Sequence, residues 1–196
     1  MLRFGPEQGP VVIAALPLFE EANRTRAAMV DVLRRLGARG IGGALPDLPG
    51  TGESLVETRD ARLADWRAAF AAVAETLGGP VYALGWRGGV LIDGEAAVAD
   101  RFHLSPLSGA EQCRELERVR QLGGGEDHAG NLLSPVLLEE LGAAVPREGA
   151  RIARLESDPR PAQSRLPGAP LWRASEPRTD EALQEALAEW IASCVG

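Results

Sequence analysis

Residues 85–89 read Gly85-Trp86-Arg87-Gly88-Gly89 and follow directly on the apolar run Val81-Tyr82-Ala83-Leu84. Glycines on either side of a central residue, after a strand, give the spacing of a nucleophile elbow, G-x-S-x-G. There a sharp strand-to-helix turn thrusts the central side chain into an active site. The flanking glycines allow that turn to close. In this chain the central residue is arginine, whose guanidinium stays protonated, offers only donors and cannot attack a carbonyl. It is suited instead to holding a carboxylate or phosphate, with the amides of the following helix assisting. It is equally suited to pairing with an acid of the chain itself.

A serine hydrolase with this elbow also needs an acid after a later strand and a histidine after the last one, so that the base can take the nucleophile's proton. Asp158 fits the acid slot. The two histidines, His103 and His128, both precede the last strand expected from the sequence. A conventional Ser-His-Asp triad is therefore absent on two counts. The remaining candidates for catalysis are carboxylates, Asp47 or Glu20 activating water, which requires a raised pKa. Simpler readings stand beside these. Asp47 with the glycines behind it is a turn signal, Asp158 before Pro159 a loop acid, and His103 a core histidine with a satisfied hydrogen bond. Ser105 and Ser108 read as caps of the helix that follows.

The elements that must position these residues alternate. Apolar runs at residues 11–16, 41–46, 81–84, 101–104, 151–156 and 169–172 read as strands. Helical spacing marks residues 20–36, with Gly37 placed to stop that helix, and the stretch carrying Trp66, Phe70, Val73 and Leu77. It also marks residues 111–122, with Leu116, Val119 and Leu122 turned inward, and the C-terminal stripe Leu183, Leu187, Trp190, Ile191 and Cys194. Gly123-Gly124-Gly125 breaks the pattern, and Ser134-Pro135 caps a short helix ending at Leu141. Only a brief helix fits between Gly89 and Asp100. The pattern predicts an α/β fold, a mainly parallel central sheet of about six or seven strands with helices on both faces. Ligands of such sheets bind beyond the carboxyl ends of the strands. That rule gathers Phe19, Glu20, Glu21, Asp47, Trp86, Arg87, Ser105, Asp158, Trp172 and Glu176, and brings Glu20 or Glu21 within reach of Arg87.

At 196 residues and 45% hydrophobic content the chain is sized for one domain, 1–196. The charge of −7 comes from 28 acids against 21 basic residues, all of them arginine, interleaved without a basic stripe. Nucleic acid is therefore not an expected partner. Cys113 and Cys194 have neither metal nor redox spacing, and no metal or other cofactor is expected. No signal-peptide core or membrane span is evident, which suggests the cytoplasm.

The order of elements, the turn Asp47-Leu48-Pro49-Gly50-Thr51-Gly52-Glu53-Ser54 and the Gly85 to Gly89 motif together resemble the α/β-hydrolase superfamily, a three-layer sandwich, over nearly the whole chain. Phe19-Glu20-Glu21-Ala22-Asn23-Arg24, Trp86-Arg87, Ser105-Pro106-Leu107-Ser108-Gly109, Leu133-Ser134-Pro135 and Gly168-Ala169-Pro170-Leu171-Trp172 are similar to the hydrolase-like proteins associated with the exosortase A system. That resemblance implies a bacterial protein encoded beside exopolysaccharide and protein-sorting genes, with the usual lid reduced to residues 109–150. Three functions follow. The first is an accessory protein with a degenerate hydrolase site that binds a small anionic ligand at Arg87, lined by Trp86, Phe19, Glu20, Glu21, Ser105, Trp172 and Glu176. The second is an ester or thioester hydrolase with a carboxylate-based site. The third is an interaction protein whose crevice is plugged by an Arg87 to Glu20 or Glu21 pair. Exposed apolar helix surface would suit a homodimer.

Overall fold

The computed structural model describes the whole chain except Glu53, residues 124–126, Ala129 and Gly196. Gly124 and Gly125 of the glycine break, and Glu53 of the glycine-rich turn, thus lie outside the described residues. In chain order the elements are β1 (Leu2–Phe4), β2 (Val11–Ala15), α1 (Glu20–Ala38), β3 (Gly42–Leu45), α2 (Leu63–Thr76), β4 (Val81–Trp86) and β5 (Asp100–Leu104). They continue as α3 (Gly109–Gly123), α4 (Pro135–Ala143), β6 (Arg151–Leu155), β7 (Ser164–Leu166) and α5 (Glu181–Cys194). The strands form one seven-stranded sheet in the order β1-β3-β2-β4-β5-β6-β7. All neighbours are parallel except β1, which runs antiparallel to β3.

β2 is apolar at every position and wholly buried, as a strand covered on both faces must be. Its alternate residues divide two cores. Val12 and Ala14 join Met29, Leu33 and Leu36 of α1 and Leu183, Leu187 and Ile191 of α5. Val11, Ile13 and Ala15 join Trp66 and Phe70 of α2 and Leu137 and Leu141 of α4. Phe70 and Phe102 are completely buried, each stabilising the fold by about 2–3 kcal/mol relative to exposure. Ser134 caps α4 as its sequence predicts, its hydroxyl accepting from Leu137 N at 3.1 Å with Pro135 in the first turn.

Four expectations are corrected. The last strand is Ser164–Leu166, inside what read as a proline-rich loop, whereas Leu171–Arg173 forms a single 3-10 turn. Pro170 has no N–H to offer a sheet, and the parallel place beside β6 is taken by Arg165 and Leu166. Gly37 does not stop α1, which runs on to Ala38; glycine is needed at 37 because a side chain there would meet the backbone of Gly5. Of the three apolar residues of α3 expected to face inward, only Leu116 is buried. Val119 is 40% and Leu122 80% exposed. The edge strand β1 carries no apolar run and has no counterpart in the sequence reading.

Candidate functional site

β4 ends at Trp86, and the next residue turns the chain into a 3-10 helix, Arg87–Leu91. Arg87 sits at the bend with φ 56°, in the left-handed region that costs a residue with a Cβ about 1 kcal/mol or more. The glycines on either side are required by packing. A Cβ on Gly85 would come 2.8 Å from Val90 Cα, and one on Gly89 would overlap the carbonyls of Ala15 and Leu16. Phe19 (φ 57°) and Ser105 (φ 47°) are the other residues with a side chain and positive φ among those described. They follow β2 and β5, the two strands flanking β4. Backbone strain is thus concentrated along one stretch of the carboxyl edge, as it is at functional sites.

The Arg87 side chain, 3% exposed, does not reach solvent as a free cation. Its Nε and Nη2 donate to the two carboxylate oxygens of Glu21 at 3.2 and 2.9 Å, a fork on α1. Nη2 also donates to Glu115 Oε2 on α3 at 2.5 Å. The guanidinium carbon lies 4.8 Å from the centre of the Trp172 ring, a cation–π contact. Burial works against the Arg87 charge, but the pairing with Glu21 and Glu115 prevails and holds its pKa above the ordinary guanidinium value. Burial pushes the Glu21 carboxyl above its usual range, opposed by the Arg87 bond and reinforced by Glu115. One cation therefore ties the elbow to two helices and carries two acids.

No protein-family model matches the chain, and no curated protein does. Solved structures match it over nearly its whole length. A protein from Agrobacterium vitis S4 described as a hydrolase superposes with a TM-score of 0.61 at 14% identity, covering 99% of this chain and 92% of that one. A structure reported for the metagenome-derived lipolytic enzymes LipS and LipT gives 0.58 at 13% identity, covering 99% and 96%. The pyrethroid hydrolase PytH gives 0.56 at 18% identity, covering 98% of each chain. The fold is that of the α/β-hydrolases.

In an α/β-hydrolase fold the bend after β4 is where the nucleophile would stand, and here it holds Arg87. After β6, Asp158 accepts from Arg154 Nη1 at 3.0 Å and from Arg160 Nη2 at 2.8 Å. Hydrogen bonding to Arg160 holds its carboxyl far below the ordinary aspartate value, so it is a fixed anion. No histidine follows β7 in the sequence. His103 is wholly buried under the elbow, its Nε2 2.8 Å from Asp93 Oδ2. His128 lies between α3 and α4, beside Glu21 and Glu115 in a small cavity of about 110 Å³. Among the described residues, no three of His, Cys, Asp and Glu converge as metal ligands.

Of the other residues singled out from sequence, Glu20 faces away from Arg87 toward Arg24 and Asn23, at 3.4 Å from each. Asp47 is exposed and paired with Arg26 and the Met1 ammonium. The hydrogen bond to that ammonium holds its pKa below normal. Trp86 is buried in the core, edge-on to Trp172 at 6.3 Å. Ser105 does not cap a helix; its hydroxyl is buried with no partner. Ser108 does cap one. Its hydroxyl accepts from Glu111 N at 3.3 Å while Glu111 accepts from Ser108 N at 2.8 Å, a capping box. Glu176 is exposed in the loop before α5. Glu115, the second acid on Arg87, is absent from the sequence reading. It sits on a helix that reads simply as polar-faced, and only the tertiary fold aims it at the elbow.

Two clefts open at this edge of the sheet. One of about 470 Å³ lies beyond β2 and β3, lined by Phe19, Asn23, Arg26, Asp47, Thr51 and Trp66. The other, about 620 Å³, lies beyond β5 and β6 and has Arg87, Trp172, Asp158 and several further arginines in its walls. Between them the residue after the bend is crowded, since a Cβ at Gly88 would overlap Gln112 Oε1 and come within 3.0 Å of Leu18 Cγ.

Proposed function

We propose that this chain is a catalytically silent member of the α/β-hydrolase fold, a single domain with residues 109–150 as a reduced lid, that binds a small ligand in the inherited crevice. The observation that carries this reading is the position of Arg87. The residue at the bend cannot form an acyl intermediate, is almost wholly buried, and is neutralised by Glu21 and Glu115. The crowding of Gly88 by Gln112 and Leu18 supports it, because an oxyanion would be stabilised beside the residue after the nucleophile. The resemblance to exosortase-associated proteins extends the proposal to a cytoplasmic accessory role in a bacterium, linked to exopolysaccharide or protein-sorting systems. That no helix among the described residues is long and apolar enough to cross a membrane accords with it.

The test is turnover of short-chain nitrophenyl esters and thioesters by the purified chain. No activity above background is expected. Turnover that survives Arg87→Ala yet is abolished by another single change in the crevice would overturn the reading. The competing carboxylate-based hydrolase needs a general base that holds its proton near neutral pH. Asp47 and Asp158 are shifted the wrong way, and Glu20 does not face the bend. Glu21 is the carboxylate at the bend whose pKa is raised, so a bell-shaped profile lost in Glu21→Gln is the signature of that alternative.

A further inference from the structure

Five arginines line the cleft beyond β5 and β6: Arg87, Arg114, Arg118, Arg160 and Arg173. Three acids share its walls, and each is already engaged. Glu115 holds Arg87, Glu111 caps α3 through Ser108 and approaches Arg160 at 3.4 Å, and Asp158 binds both Arg154 and Arg160. Arg114, Arg118 and Arg173 are exposed, and their side chains make no hydrogen bond or ion pair among the described residues; Arg114 has only a longer-range attraction to Glu111. Of the Arg87 nitrogens, Nε and Nη2 are committed to Glu21 and Glu115, and Nη1 to neither.

The arrangement runs against the rest of the molecule. The chain carries a net charge of −7, yet this cleft has a cationic surplus. Arg114 and Arg118 are one helical turn apart on α3, a like-charge spacing that weakens a helix unless an anion lies between them. Arg173 comes from a different element, the turn that also carries Trp172. A carboxylate offers two oxygens in one plane and a single charge, a geometry that the cleft's own acids already present to Arg87 and Arg160. Three uncommitted guanidinium groups from two elements match a tetrahedral group with three terminal oxygens and a charge approaching −2, that of a phosphate monoester.

We infer that this cleft is a binding site for a phosphorylated small molecule, its phosphate held by Arg114, Arg118 and Arg173 with Arg87 Nη1 at the base. The assignment rests on the crevice being a binding site and not a catalytic one. The volume leaves room for the organic part of the ligand as well as the phosphate.

The experiment is calorimetric titration of the full chain at low ionic strength with inorganic phosphate and glucose 6-phosphate, with glucose and citrate in parallel. Single-site binding of either phosphate is expected, weakening as salt is added, with no heat from glucose. Arg114→Ala combined with Arg118→Ala should lower the affinity at least about tenfold, as should Arg173→Ala, since each removes charge-assisted bonds. Arg147→Ala, on a different surface, should leave it unchanged. Absence of saturable binding by both phosphates overturns the inference, as does unchanged affinity in the double variant or tighter binding of citrate. Ester turnover by the unmodified chain would instead sink the catalytically silent reading and leave these titrations standing.

Discussion

The molecule buries two clusters of charge on neighbouring strands, and they are built differently. Asp93 and His103 face each other under the elbow, 0% and 1% exposed, with Arg101 Nε at 3.6 Å from the other Asp93 oxygen. Arg87, Glu21 and Glu115 meet above the same part of the sheet, at 3%, 15% and 41% exposure, a gradient running out to the cleft. His103 pairs in register with Gly85, two residues before Arg87, so the clusters hang from almost the same rung. The lower one lies inside the molecule, with Asp93 Oδ1 and Arg101 Nε left without a hydrogen bond among the described residues, and opens onto no cleft named above. The upper one ends at an open surface, which makes it a candidate site and not simply another core ion pair.

That contrast can be broken by removing one partner from each cluster. His103→Ala leaves a fully buried carboxylate without its partner and should cost about 3–5 kcal/mol in a urea or guanidinium titration. Arg87→Ala should cost less, about 2 kcal/mol, because Glu115 can turn toward water even though Glu21 cannot. Adding Glu21→Gln to Arg87→Ala should recover at least about 1 kcal/mol, a coupling read from a double-mutant cycle. If the two single variants lose equal stability, the upper cluster is as deeply sequestered from water as the lower.

The fold was legible because its central strands are continuous apolar runs and its helices carry clean stripes, signals that burial on both sheet faces imposes directly. Arg87 at the bend was legible for a related reason, since only glycine fits at positions 85 and 89. Tertiary pairing was not. Glu20 and Glu21 are indistinguishable from sequence, and a turn of α1 decides that Glu21 meets the guanidinium. Glu115 is brought to the bend by the packing of α3, a long-range event with no local trace. β7 was missed because Ser164-Arg165-Leu166 carries one apolar residue and is defined by the strand beside it.

Smaller effects sharpen the same picture at the cleft. The folded pKa of Asp158 is depressed, so its contribution to stability is full above the unfolded value near 3.8 and is lost as pH falls through the lower folded value. Asp158→Asn should therefore lower stability at neutral pH and flatten the acid limb of the stability–pH curve, with the difference from the parent chain shrinking toward low pH. Ser108→Ala, which removes the cap of the helix carrying Arg114, Glu115 and Arg118, should cost about 1 kcal/mol in thermal unfolding. Leu122→Gln, on the uncovered end of that helix, should change stability by less than about 0.5 kcal/mol in the same measurement.

The left-handed backbone at position 87 admits many side chains, but its surroundings do not. Replacing this arginine with a hydroxyl-bearing residue would strand the largely buried Glu21 carboxylate, whereas Glu115 could turn outward, so the exchange is best tolerated if Glu21 changes as well. The bend is accordingly guarded by epistasis: a single-step route toward an attacking group passes through a less stable protein, and the change at 87 is best made together with one at 21.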